Sequence, residues 1–244
     1  MTRTAAVLVI GNEILSGKIA DTNTNFLARG LFELGIELRR VVVCGDEVSV
    51  IRDELVALRA AHDLVFTSGG VGPTHDDVTI EGVAAAFDRP VVQSEAVAKV
   101  IRHYYGDRAT DAHFRMANMP EGSEMLRSAE APWPTVVIDN VYVLPGVPQI
   151  FELKFNDLRK RLDKGHEFHS HSVYTQSGEG EIAELLEKIA ATFPKVMVGS
   201  YVKWDAEDYR TKVTFDSSDS DAILRAADML IDALDPALFV RREP

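Results

Sequence analysis

The chain has 244 residues, 46% of them hydrophobic and 26% charged, a balance that suits folded globular domains and excludes a disordered or fibrous chain. Asp and Glu number 38 against 26 Lys and Arg, for a formal net charge of −12; with no dense Lys/Arg run, nucleic acid and anionic membrane are excluded as partners. The only cysteine, Cys44, excludes a disulfide framework and any Cys-rich zinc or iron–sulfur centre.

Ala5 to Ile10 is a continuous apolar run, the pattern of a strand buried on both faces. It is too short to span a bilayer, Gly11-Asn12-Glu13 follows at once, and no signal-type cleavage region or longer apolar run appears, so the reducing cytoplasm is the expected compartment. Asp21-Thr22 caps a predicted helix to about Leu34, with Leu27, Leu31 and Leu34 at helical spacing and Gly35 as its stop. Ile36 to Cys44 is a second strand, Ser49 opens a second helix, and Leu64 to Thr67 is a third strand. A glycine-rich turn leads to a helix from about Val78 to Phe87. This alternation predicts a parallel sheet with right-handed crossovers.

Ser94 to Tyr105 is a predicted helix ending at Gly106, Ala109 to Asn118 another, and Pro120 to Pro134 a loop. Val136–Ile138 and Val141–Leu144 are strands joined by a turn at Asp139-Asn140, and a helix runs from Pro148, tolerated in a first turn, to about Leu162. Lys164-Gly165-His166 marks a boundary between domains at 1–165 and 166–244. Beyond it come strand 168–175, helix 180–193, strands 196–202 and 209–216, helix 220–234 and a strand at 238–240. That βαββαβ order is the split-βαβ pattern of a small α+β domain.

Ligands of open parallel α/β sheets bind beyond the carboxyl ends of the strands. Four loops should open there: Gly11-Asn12-Glu13, Gly45-Asp46-Glu47, Ser68 to Asp77, and Pro145-Gly146-Val147-Pro148. Ser68-Gly69-Gly70-Val71-Gly72 carries three glycines in four residues, so its N–H groups can nest an anion, or the loop is simply a tight turn that packs helix on strand. Asp76 and Asp77 read as an N-cap for the helix at Val78, or as carboxylates holding Mg²⁺, Mn²⁺ or Co²⁺, with Glu13 and Asp46 as companions or as solvated loop acids. His75 is a substrate contact or a plain loop residue. His166, His169 and His171 look like a metal cluster, but with no acid at ligand spacing they read as a solvated strand edge, and Cys44 reads as core.

Gly-Asn-Glu-Ile-Leu-Ser-Gly at 11–17, Asp-Thr-Asn-Thr-Asn at 21–25 and Thr-Ser-Gly-Gly-Val-Gly-Pro-Thr-His-Asp-Asp-Val-Thr at 67–79 resemble the MoaB/Mog molybdopterin-binding domain, most closely its CinA-type branch, and also the corresponding domain of eukaryotic FAD synthases. Leu-Pro-Gly-Val-Pro at 144–148 and Val-Gly-Ser-Tyr at 198–201 extend the match over nearly the whole chain. The resemblance implies a MoaB/Mog-like three-layer α/β domain plus a smaller α+β domain. It implies metal-dependent hydrolysis of nucleotide pyrophosphates of the ADP-ribose or FAD class; the alternatives are a molybdopterin-binding or adenylylating protein and a non-catalytic interaction module. Asp46 and Asp77 match the family's two acids and are the expected catalytic pair. Gly11, Asn12, Ser68, Gly69, Gly70, Gly72, Pro73, Thr74, His75, Pro145 and Gly146 are the expected substrate contacts, and Glu13, Asp76 and Asp77 the expected metal ligands. Mog-type relatives generally carry a basic residue where this chain has Asp76, and the change from base to acid favours the metal-dependent branch. With the sequence ending at Pro244, neither the deamidase activity of longer CinA proteins nor FAD synthesis is expected. Relatives self-associate, so a homo-oligomer that binds a small nucleotide or pterin is expected.

Overall fold

The computed structural model describes residues 3–127, 133–162, 168–205 and 207–244. The chain forms two compact units, 1–165 and 166–244; the expected linker Lys164-Gly165-His166 lies outside the described residues.

In the first unit the elements run β1 (Thr4–Ile10), α1 (Asn12–Leu15), α2 (Asn23–Glu33), β2 (Glu37–Cys44), α3 (Val48–Ala61), β3 (Leu64–Ser68), α4 (Thr79–Ala86), β4 (Val91–Gln93), α5 (Glu95–Tyr105), α6 (Asp111–Arg115), β5 (Asn118–Pro120), β6 (Glu124–Leu126), β7 (Thr135–Ile138), β8 (Val141–Leu144) and α7 (Pro148–Leu158). Among the described residues the main sheet has the order β2-β1-β3-β8-β7-β6. Strands β2, β1, β3 and β8 are mutually parallel, and β7 and β6 return antiparallel.

Successive side chains of a strand point to opposite faces, and β1 shows what this does in a buried strand. Ala5, Val7 and Val9 pack with Leu27 and Leu31 of α2 and with Phe151 and Phe155 of α7. Ala6, Leu8 and Ile10 pack with Ile51 and Leu55 of α3 and with Val83 of α4. The sheet is therefore the middle of three layers. Its carboxyl edge carries the loops after β1, β2, β3 and β8.

Several local expectations change. The helix expected over 109–118 is only α6, because Asn118 to Pro120 pair with Val91 to Gln93. β6 forms within the segment expected as loop, of which 128–132 lie outside the described residues. Helix α3 starts at Val48 after Glu47 rather than at Ser49. The N-cap of α4 is Val78, with no side-chain cap bond, so neither Asp76 nor Asp77 caps it.

The second unit contains β9 (His169–Thr175), α8 (Glu179–Thr192), β10 (Met197–Val202), β11 (Thr211–Ser217), α9 (Ser220–Ala233) and β12 (Phe239–Glu243). Its antiparallel sheet has the order β10-β11-β9-β12. One face buries Val173, Val213 and Phe215 against Ile182 and Ile189 of α8 and Ile223, Ala226 and Leu230 of α9. His169 and His171 lie where β9 runs past its last pairing with β12, Ser172 with Glu243; His166 lies outside the described residues. No described helix is long and apolar enough to cross a membrane.

Candidate functional site

A cavity of about 690 Å³ opens at the carboxyl edge of the main sheet, within the size range of small-molecule sites. Of the expected residues, Glu13, Ser68, Gly69, Gly70, Gly72, Pro73, Asp77, Pro145 and Gly146 line it. Gly11, Asn12, Asp46, Thr74, His75 and Asp76 are not part of the lining.

The glycine loop is folded tightly against the end of β1. Gly69 has φ +108° and a Cβ there would collide with the carbonyl oxygen of Ile10; Gly70 has φ +64° and a Cβ there would collide with the Thr79 hydroxyl. The Thr79 side chain donates to the Gly69 carbonyl at 2.9 Å, and the Thr79 N–H donates to the Gly70 carbonyl at 3.0 Å. These bonds fix the loop on the first turn of α4.

The expected phosphate cradle of Gly69, Gly70 and Gly72 needs correction. The Gly69 N–H donates to the Leu144 carbonyl and the Gly72 N–H to Asp77 Oδ1. Among the described residues, the Gly70 and Val71 N–H groups have no protein acceptor, and these are the donors that can meet an anion.

Asp77 is the organiser of this loop. Its Oδ1 accepts from Gly72 N–H at 2.7 Å, and its Oδ2 accepts from Thr74 N–H at 2.8 Å and from the Thr74 hydroxyl. Asp46 has a similar task on another loop, accepting the Asn12 N–H at 2.8 Å. Asp76 and His75 are exposed and lie side by side, 3.8 Å apart. Of the four acids expected to converge, Glu13 and Asp77 line the cavity and Asp46 and Asp76 do not. Among the described residues no group of three or more His, Cys, Asp or Glu side chains is placed to hold a metal ion. As placed, these acids do not fit a divalent metal, and no chemical step below is routed through one.

Four lining residues carry chemistry that the loop reading did not single out. Asn23, in the first turn of α2 and 6% exposed, donates from Nδ2 to Ser68 Oγ and to the Gly146 carbonyl, both at 2.9 Å. Its Oδ1 is buried with no hydrogen-bond partner among the described residues. Glu81, in the first turn of α4, likewise has a buried Oε2 without a partner among the described residues. A buried acceptor with no donor is costly unless a ligand or water supplies one. Asn23 belongs to the Asp-Thr-Asn segment and was legible there as motif; the state of Glu81 depends on tertiary packing alone. Arg115 is the third, a cation in the lining at the end of α6.

Lys154 of α7 is the fourth. Its side chain is buried, and Nζ donates to the carbonyls of Trp133 at 2.7 Å and Pro134 at 2.8 Å and to the Thr135 hydroxyl at 3.3 Å. Burial, with no carboxylate among these partners, pushes its amine down to about 8. Between about pH 8 and the ordinary lysine value the unfolded chain then binds more protons than the native one, so stability rises with pH across that window. Urea unfolding at pH 7.5 and 9.5 should show a gain of about 2 kcal/mol that Lys154→Gln lacks; equal pH dependence in both proteins contradicts the assignment.

Cys44, 5% exposed at the end of β2, sits in the core as expected, and burial, then Glu54 and Asp46, pushes its thiol up to about 11. Since the thiolate is the reactive form, native protein should react with a disulfide reagent at pH 8 about 100-fold more slowly than urea-unfolded protein. Comparable rates would contradict this placement.

Comparison with known proteins agrees with this architecture. Residues 6–164 match the family model described as "Probable molybdopterin binding domain", and residues 167–243 match "FAD synthase, middle domain". A "Probable FAD synthase" of Caenorhabditis elegans is 33% identical over 91% of this chain and 48% of its own length, so the chain spans about half of that relative. A protein of Archaeoglobus fulgidus is 34% identical over 81% of this chain and 85% of its own. The solved structure of CinA from Thermoplasma acidophilum, a protein of unknown function, is 31% identical with a TM-score of 0.61, covering 66% of this chain and 98% of that one.

Proposed function

Since the chain belongs to the molybdopterin-binding domain family of MoaB/Mog type, in its CinA-like form and joined to a FAD synthase middle domain, we propose that its cavity binds a nucleotide pyrophosphate of the ADP-ribose or FAD class and hydrolyses its P–O–P bond. One observation supports the reading above others. Gly70 and Val71, whose N–H groups have no protein acceptor among the described residues, line one cavity together with Asn23 and Glu81, each of which holds a buried oxygen with no partner among the described residues. A phosphate ester with sugar hydroxyls supplies the complement of both sets.

The Gly70 and Val71 N–H groups meet the phosphoryl oxygens, next to the positive end of α4. Glu81 Oε2 accepts a proton from a water molecule whose oxygen attacks one phosphorus. The bond from that phosphorus to the bridging oxygen breaks, and the leaving phosphate departs with the bridging oxygen and its electron pair. Glu81 takes the general-base role, because Asp46, one of the expected catalytic pair, is outside the lining and accepts the Asn12 N–H. Asn23 Oδ1 accepts from a ligand hydroxyl or ring N–H.

The test is release of AMP from ADP-ribose and FAD, with and without Mg²⁺, Mn²⁺ or Co²⁺. The parent should turn over, and Glu81→Gln should lower kcat by about 100-fold or more at nearly constant KM. No AMP release together with tight pterin binding would replace hydrolysis by the binding role that the family description names. No ligand-induced rise in melting temperature with any of these compounds would leave only an interaction module.

A further inference from the structure

The cavity has a second chemical character away from the glycine loop. Part of its wall comes from the segments around α5 and β5 and from the approach to β7, where Tyr105, Met116, Met119 and Trp133 give apolar and aromatic surface beside Arg115 and Asn118. Tyr105 and Trp133 lie nearly parallel, with an interplanar angle of 27° and ring centroids 6.4 Å apart. Both are half-buried while lining the cavity.

The strand register sets where this wall stands. Ser68 of β3 pairs with Leu144 of β8, and Val143 of β8 pairs with Val136 of β7. Trp133 is two residues before Thr135, the first residue of β7, at the strand end that shares an edge with Ser68. From β3 to β7 is two strand spacings, about 10 Å. A sugar phosphate linker bridges such a gap. The wall is also held in place: the buried Lys154 ammonium binds the carbonyls of Trp133 and Pro134, so the indole is carried on an anchored stretch of backbone.

We propose that Tyr105, Met116, Met119 and Trp133 form a ring-recognition subsite that takes the planar heteroaromatic ring of the ligand while its phosphate lies on the glycine loop. The subsite rests on the reading of the cavity as a phosphate-ester site and adds to it the place where the ligand's flat, polarisable ring is held and the side chains that hold it. Ring stacking tolerates different bases, because each has a π face, so the subsite selects for the presence of a ring more than for its identity. Lys154 is a positioning residue here, with its three donors directed to the segment that carries Trp133.

The test uses the full chain with Trp204→Phe as background. Trp204 is 86% exposed and belongs to the second unit, so its removal leaves Trp133 as the only indole emitter. FAD, AMP and inorganic pyrophosphate are titrated, with affinities read by calorimetry and Trp133 emission followed in parallel. All three should bind, AMP and FAD with saturable quenching and pyrophosphate without it. Trp133→Leu should weaken AMP and FAD by about ten- to a hundredfold and leave pyrophosphate within about twofold, and Trp133→Phe should restore most of the loss. Unchanged AMP and FAD affinity in Trp133→Leu overturns the ring subsite while the phosphate site stands. Equal weakening of all three ligands also overturns it, since the indole would then be structural only. Failure of the parent to bind any of the three overturns both the subsite and the phosphate-ester reading.

Discussion

Gly69→Ala is expected to lower the stability of the first unit by about 3 kcal/mol or more, on two grounds that add. The φ of +108° is a conformation in which an L side chain costs on the order of 1–3 kcal/mol. The added Cβ also meets the carbonyl oxygen of Ile10, a backbone atom at the end of β1, which is fixed by pairing with β2 and β3 and cannot swing aside as a flexible side chain would. Gly17→Ala is the control: its φ is +70°, but a Cβ there meets nothing within 4 Å, so only the backbone term of about 1 kcal/mol applies. For a domain of this size 1 kcal/mol corresponds to about 2–4 °C, so thermal unfolding should separate the two variants by several degrees. Equal melting temperatures would mean that the loop is not packed on β1 as described.

The second large effect is at Asp77. Its carboxylate accepts from Gly72 N–H, Thr74 N–H and the Thr74 hydroxyl. Asp77→Asn replaces one acceptor oxygen by an NH₂ donor that must face one of these donors, and the charge is lost. Bonds to charged groups contribute roughly 1.5–3 kcal/mol, so a destabilisation of about that size is expected. The functional loss should be larger. Once the loop relaxes, the Gly70 and Val71 N–H groups no longer point together, and misplacement by about 1 Å is worth on the order of 100-fold in rate. Pyrophosphate affinity should fall together with turnover, whichever divalent metal is added. A variant that keeps pyrophosphate affinity but loses turnover would instead make Asp77 a participant in the reaction.

The parts of the fold legible in the sequence are those where local pattern and tertiary role coincide. The unbroken apolar run of β1 reads as a strand buried on both faces, and the structure divides its alternate residues between two cores. The three glycines after β3 mark a loop where backbone approaches backbone. Where the two levels part, the pattern misleads. Adjacent Asp76 and Asp77 look alike in sequence, yet one is solvent-facing and the other is enclosed by its own loop. The 109–118 stretch has helical composition, but pairing of Asn118 to Pro120 with β4 ends the helix early.

Much of the candidate site was not legible because its signals arise only in three dimensions. Lys is among the least buried residue types, and nothing near position 154 in the chain announces that its ammonium binds backbone 20 residues earlier. The unpartnered oxygens of Asn23 and Glu81 are properties of packing. Trp133 follows a stretch of mixed polarity and becomes part of a cavity wall only through the β7–β8 hairpin.

The central claim is that the glycine loop of this cavity receives a phosphate through the N–H groups of Gly70 and Val71. The most direct measurement is a ¹H–¹⁵N correlation titration of the full chain with ADP-ribose. The account predicts the largest amide shifts at Gly70 and Val71 and smaller ones at Gly69 and Gly72, whose N–H groups already have protein acceptors. Saturable binding that leaves the Gly70 and Val71 amides unmoved would contradict it.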